Sequence, residues 1–122
     1  MKPFSVQLVF GRNRISDTFL LYVSDTDTNI YKSETTAAIA SDKICGSLYA
    51  RNRLPGDRIL MGGMHKSLKK LMCDQKIDLS IRDKLPIICD GDGIVFVPFV
   101  GICDRVKSKK NEQMTYISLI SG

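Results

Sequence analysis

Apolar and polar residues alternate through Phe4, Val6, Leu8 and Phe10, which predicts a strand with one buried face. Gly11–Arg14 reads as a turn after it. Phe19–Ser24 is a second strand, rich in aromatic and aliphatic residues, and the polar run from Asp25 to Asn29 ends it. A short piece around Ile30 to Lys32 is placed beside that strand. Thr35–Ala40 is ambiguous, because alanine favours helix and the threonines favour strand. Alternation returns from Ile44 to Arg53, with Ile44, Gly46, Leu48 and Ala50 on one face and Tyr49, Arg51 and Arg53 on the other. Its arginines are predicted to face solvent.

Leu54-Pro55-Gly56-Asp57 has the chemistry of a turn: proline fixes φ and glycine supplies freedom. Beyond Gly62-Gly63, read as a flexible joint, the spacing becomes helical. Met64, Leu68, Leu71 and Met72 fall on one side at 100° per residue, and Lys66, Lys69 and Lys70 cluster opposite them. An amphipathic helix from about Met64 to Asp74, with a lysine ridge, follows. A short helical turn around Leu79–Asp83 must stop before Pro86. Pro86–Cys89 and Ile94–Val97 flank Asp90-Gly91-Asp92-Gly93 as a hairpin. Asp104–Glu112 reads as a charged loop and Met114–Ile120 as a closing strand.

These elements imply an α+β fold of small antiparallel sheets, sandwich-like and of unusual topology, with one main amphipathic helix packed through Leu68, Leu71 and Met72. A length of 122 residues fits one domain spanning 1–122 with a single core. Apolar residues at 43% and charged residues at 25% are globular values and argue against a disordered chain. No apolar run is long enough to span a membrane and the first residues lack a secretory apolar core, so a cytoplasmic location is expected.

The net charge of +5 is unevenly spread. Lys43 to Lys84 holds ten Lys and Arg against four Asp, a net of +6, whereas the remainder comes to −1. Such a concentration fits a polyanionic partner, or equally a solvated face. Arg51, Arg53 and Arg58 flank one turn, Lys66, Lys69 and Lys70 share one predicted ridge, and Arg82 and Lys84 precede Pro86. With no Trp, and only Tyr49 near the arginines, platforms for stacking single-stranded bases are scarce. Structured, double-stranded RNA is the better match, since it offers phosphates and shape.

Catalytic chemistry has little support. The lone histidine, His65, sits beside Lys66 after two glycines and reads as an exposed loop residue. Asp90, Asp92 and Asp104 could be imagined around a hard cation, but the first two are accounted for by their turn. Cys45, Cys73, Cys89 and Cys103 are widely spaced, without the clustering a zinc site requires, and read as small buried hydrophobes. Neither common nucleotide-binding loop occurs.

Taken in order, Tyr49-Ala-Arg51-Asn-Arg53-Leu-Pro55-Gly56-Asp57-Arg58, Lys66-Ser-Leu68-Lys69-Lys70-Leu71-Met72 and Ile81-Arg82-Asp83-Lys-Leu85-Pro86 resemble the C-terminal domain of bacterial tRNA(Ile)-lysidine synthetases. The resemblance is strongest over residues 44–105. It implies a parent ligase, active in tRNA processing, that uses ATP with magnesium to adenylate the wobble cytidine of an isoleucine tRNA and then joins lysine to it. The S-G-G-x-D-S pyrophosphate loop of that chemistry is absent from these 122 residues, so no catalytic residue, metal or cofactor is assigned here. The family's C-terminal domain is associated with gripping the acceptor-stem side of the tRNA. By position, Arg51, Arg53, Arg58, Lys66, Lys69, Lys70 and Arg82 are the implied RNA-binding residues. Asp57 is expected to cap its turn or pair with an arginine, and Asp83 to cap or to orient Arg82. Phe99-Val100 departs from the family, which more often has glycine there. A competing reading is an interaction module that docks on its own N-terminal catalytic domain or forms a homodimer.

Overall fold

The computed structural model describes residues 3–26, 35–109 and 112–121, and every strand pairing among them is antiparallel. In chain order the strands are β1 (Ser5–Gln7), β2 (Gly11–Arg14), β3 (Phe19–Ser24), β4 (Thr36–Ala40), β5 (Tyr49–Arg51), β6 (Arg58–Met61) and β7 (Met64–Ser67). After helices α1 (Leu68–Asp74) and α2 (Leu79–Arg82) come β8 (Ile87–Asp90), β9 (Gly93–Val97), β10 (Gly101–Ile102) and β11 (Met114–Ser121). They form a five-stranded sheet β1-β5-β8-β9-β10, a four-stranded sheet β2-β3-β11-β4 and the β6-β7 ribbon. The α+β expectation holds, with α1 as its longer helix.

Burial explains the order. Both inner and outer positions of β8 are buried, as a continuous Ile-Ile-Cys run demands of a strand in the middle of a sheet. In β3, Phe19, Leu21 and Val23 face the core and Leu20 and Tyr22 are half-buried. β11 lies between β3 and β4, pairing Ser121 with Phe19 on one side and Met114 with Ala40 on the other. One apolar cluster draws on both larger sheets, on Ile59 of β6 and on Leu68 and Met72 of α1.

Several sequence expectations need correction. Gly11–Arg14 is a strand, and the alternation from Phe4 to Phe10 is cut after Gln7, leaving Phe10 67% exposed. The cause is Asn13, whose buried amide bonds both the N–H and the C=O of Val9 and the carbonyl of Leu21, which draws the chain into the second sheet. The Ile44–Arg53 alternation contracts to β5, preceded by a 3-10 turn at Ser41–Lys43. Thr36–Ala40 is strand. The piece around Ile30 to Lys32 lies outside the described residues.

The largest correction concerns the helix. Met64–Ser67 is the second strand of a hairpin whose two-residue turn is Gly62 and Gly63, with φ of 62° and 78°. Two successive positive φ values match the right-handed twist of a ribbon, and glycine reaches them without strain. Helix begins at Leu68 because Ser67 caps it, its hydroxyl accepting the Lys70 N–H. Met64, predicted to face the core, is 65% exposed. The Leu79–Asp83 turn and the Pro86–Val97 hairpin appear as α2 and β8-β9.

Candidate nucleic-acid interface

The turn between β5 and β6 is held by one carboxylate. Asp57 accepts from the Leu54 N–H at 2.8 Å and closes the loop through its own N–H to the Leu54 carbonyl. Its two oxygens also accept from both Nη atoms of Arg51, end-on, at 2.8 and 3.0 Å. Both predicted roles for Asp57, capping and pairing, are present. The expectation that Arg51 faces solvent is corrected, because its side chain is only 18% exposed and is engaged by Asp57. Its hydrogen bond to Asp57 raises the already high pKa of the guanidinium.

Arg53 is also turned inward. Its Nη2 meets Asp83 at 3.4 Å, so Asp83 serves Arg53 and not Arg82 as expected. Arg82 instead donates its Nε–H to the Ile77 carbonyl at 2.8 Å and Nη1 to the Cys73 sulfur, which ties α2 to the end of α1. Arg51 and Arg82 therefore brace the scaffold, and Arg53 is held by one long contact.

The other four differ. Arg58 on β6, Lys66 on β7, and Lys69 and Lys70 on α1 are exposed, and among the described residues none pairs with a carboxylate. The predicted single helical ridge is split, since Lys66 belongs to the ribbon. Register places Lys66 opposite Ile59 and Arg58 opposite Ser67, so these two cations occupy opposite faces of the ribbon. A cleft of about 390 Å³ opens between the β5-β6 turn and the start of α1, with Arg53, Pro55, Asp57, Ser67 and Lys69 among its walls.

Asp104 was not foreseen as a support. Its two oxygens accept the N–H groups of Gly62 and Gly63 at 3.1 and 2.7 Å, fixing the tip of the ribbon. These bonds, the Gly63 bond foremost, hold its carboxyl below the usual range. Lys107 adds an ion pair at 3.2 Å. Nothing in the sequence signals this, because more than forty residues separate acceptor and donors. Asp90 likewise does more than shape a turn: its buried carboxylate takes Arg105 on both oxygens and the N–H groups of Cys45 and Asp92. The positive φ of that hairpin falls on Gly93 alone.

The enzyme-like candidates stay apart. His65 is exposed on β7 beside Leu60. No group of three His, Cys, Asp or Glu residues suited to a metal ion occurs among the described residues. Cys89 and Cys103 are buried as expected, but Cys45 and Cys73 are exposed. No helix among the described residues is long and apolar enough to cross a membrane.

Comparison with known proteins points to one family. Residues 48–119 match the model of the TilS substrate C-terminal domain. The chain is 42% identical over 66 residues to the tRNA(Ile)-lysidine synthase of Symbiobacterium thermophilum, covering 52% of this chain and 14% of that protein. It is 39% identical over 72 residues to the enzyme of that name in Clostridium tetani, covering 57% and 15%. It is 40% identical over 89 residues to the bifunctional protein TilS/HprT of Listeria monocytogenes, covering 67% and 14%. The chain thus spans about a seventh of the length of these curated relatives. A crystal structure of a TilS C-terminal domain superposes with a TM-score of 0.82 at 19% identity, over 98% of each chain, and so shares the fold.

Proposed function

The chain belongs to the family of TilS substrate C-terminal domains, and on that premise we propose that residues 1–122 act as one tRNA-gripping unit of a tRNA(Ile)-lysidine synthase. The observation that carries the reading is the set of four exposed cations, Arg58, Lys66, Lys69 and Lys70, without a carboxylate partner among the described residues. Cations on short strands and a capped helix present a firm array to phosphates, and duplex RNA is recognised mostly through phosphates and shape. Arg51 and Arg82 then act as braces beneath that array. In this reading the acceptor-stem side of an isoleucine tRNA is held here. ATP and magnesium, and the joining of lysine to the wobble cytidine, belong to the catalytic part of the parent ligase. These 122 residues lack the S-G-G-x-D-S loop, so no step of that chemistry is assigned to them. The working compartment is the cytoplasm.

The test is the affinity of this chain for isoleucine tRNA as salt rises. Four phosphate contacts give a log–log slope of about −3, hence a loss of about 50- to 150-fold between 50 and 200 mM salt. Replacing Arg58, Lys66, Lys69 and Lys70 together with Gln flattens the slope towards zero. An unchanged slope in that variant would remove the basis of the reading.

A second reading rests on a separate patch. Val9 and Phe10, 61% and 67% exposed, border a cleft of about 340 Å³ that also involves Leu8, Ile44 and Leu48. An apolar surface of this kind suits docking on the catalytic part or on a second copy. Size measurement in solution, and its loss of a dimer on Phe10→Asp, decides for or against self-association.

A further inference from the structure

Within the described residues one buried side-chain nitrogen or oxygen lacks a hydrogen-bond partner, and it is Nε of Arg53. Orphaned buried donors are uncommon in native proteins, because folding removes their water without replacing it. The guanidinium edge made of Nε and Nη2 can grip an oxyanion with two parallel bonds. Here that edge is half used. Its Nη2 reaches a single oxygen of Asp83 at 3.4 Å, a long contact to a carboxylate that is itself 58% exposed.

The walls of the adjacent cleft explain what would complete the edge. Asp57 contributes no free negative charge, since Arg51 and the Leu54 N–H occupy its oxygens. Lys69 lines the same cleft, exposed and without a carboxylate partner among the described residues. At about 390 Å³ the space lies in the range of small-molecule sites. Arg53 and Lys69 thus bring two cations to the walls of a cleft whose lining carboxylate, Asp57, is already neutralised by Arg51.

The geometry points to this cleft as a seat for one phosphate group, with Arg53 as its gripping residue and Asp83 as the carboxylate that holds Arg53 until the phosphate arrives. Arg53 swings off Asp83, presents Nε and Nη2 together, and Lys69 supplies the second charge. The exchange replaces one long carboxylate contact and an orphaned donor with a two-bonded phosphate. The inference rests on the tRNA-binding reading above, and it distinguishes the phosphodiester of structured RNA from a free phosphate by using both as probes.

The experiment titrates this chain with a 12-base-pair RNA duplex and, separately, with inorganic phosphate, and follows the Arg53 Nε–H resonance together with affinity. With duplex, Nε–H shifts into a hydrogen-bonded position. Arg53→Lys, which keeps the charge and loses the fork, weakens duplex binding about tenfold while leaving the salt slope nearly unchanged. Asp83→Asn tightens binding, by up to about fivefold. That gain vanishes on an Arg53→Gln background, whereas a simple long-range effect of the lost carboxylate would persist there. An Arg53→Lys chain that binds duplex as the parent does overturns the phosphate seat, and so does an Asp83→Asn gain that survives without Arg53. Those results leave the tRNA reading standing if the Gln variants at the four cations still abolish binding. If the parent chain binds no RNA, that reading fails by itself; a shift of Arg53 Nε–H by inorganic phosphate then still supports the seat, and no shift rejects it.

Discussion

Removing the Asp90 carboxylate as Asp90→Ala is expected to lower the melting temperature by about 12 °C without touching RNA affinity. The side chain is fully buried and accepts four hydrogen bonds: 2.8 and 2.9 Å from Arg105, 2.9 Å from Cys45 and 2.9 Å from Asp92. Breaking a fully buried ion pair costs roughly 3–5 kcal/mol, because the surviving charge stays desolvated. Arg105 is 29% exposed and can recover some water, which brings the figure to about 3 kcal/mol. Unfolding entropy near 2.1 cal/mol/K per residue gives about 0.26 kcal/mol/K for this length, hence the shift of about 12 °C.

The acid limb gives a second handle. Burial alone would push the Asp90 carboxyl up, but the bonds from Arg105, Cys45 and Asp92 outweigh it and hold the group below its ordinary value. A carboxyl with a depressed folded pKa contributes stability above its unfolded value, about 3.9, and that contribution is lost as pH falls through the folded value. The gap between parent and variant is therefore full at pH 6 and narrows below about pH 4. The assay is thermal unfolding by circular dichroism at pH 7, 5 and 3, with tRNA affinity measured well below both midpoints. A loss under about 4 °C at pH 7, with the native sheet spectrum retained, refutes the argument, since it would mean water satisfies the network as well as Asp90 does.

Three further outcomes follow from the same structure. Phe99 occupies the third position of a turn in which Val97 accepts the Val100 N–H, at φ of 69°, where glycine is at ease and other residues are strained. Phe99→Gly should therefore be more stable than Phe99→Ala by about 1 kcal/mol, measured by urea unfolding, the reverse of the ordering at an ordinary strand position. Arg51→Ala, which strips Asp57 of its partner, lowers the urea midpoint with the folded fraction still binding tRNA, whereas Lys70→Ala leaves the midpoint in place and weakens binding. Finally, Asp92 raises the pKa of the exposed Cys45 thiol, chiefly through its charge and then its hydrogen bond, so alkylation at pH 8 is slower than for a free cysteine peptide. Asp92→Asn should accelerate it.

How far the sequence foretold this depends on what each residue faces. Strands β3, β8, β9 and β11 carry unbroken or alternating apolar signals because the core covers them, and each was legible. The β6-β7 ribbon was not, because Met64, His65, Lys66 and Ser67 are all exposed and impose no alternation. Met64 falls into helical step with Leu68 by coincidence, and the Gly62-Gly63 pair, a hairpin signal in its own right, equally suits a flexible joint. Parity put Arg51 and Arg53 on one face, although β5 ends at Arg51. It could not reveal that Asp57 and Asp83 await them there, since ion pairs at separations of six and thirty residues leave no periodic trace. For the same reason the four cations without a carboxylate partner among the described residues are indistinguishable in the sequence from the three engaged ones.

The place of β11 bears on how the molecule comes into being. This strand is inserted between β3 and β4, so its partners, including Phe19 opposite Ser121, are made long before it. Until β11 arrives, β3 and β4 each carry a bare row of amides and carbonyls, open to any other extended chain. Pairing across such sequence distances is slow to form. A nascent chain halted before Met114 is thus an aggregation hazard, and a cell would meet that hazard with a chaperone that masks exposed strand edges.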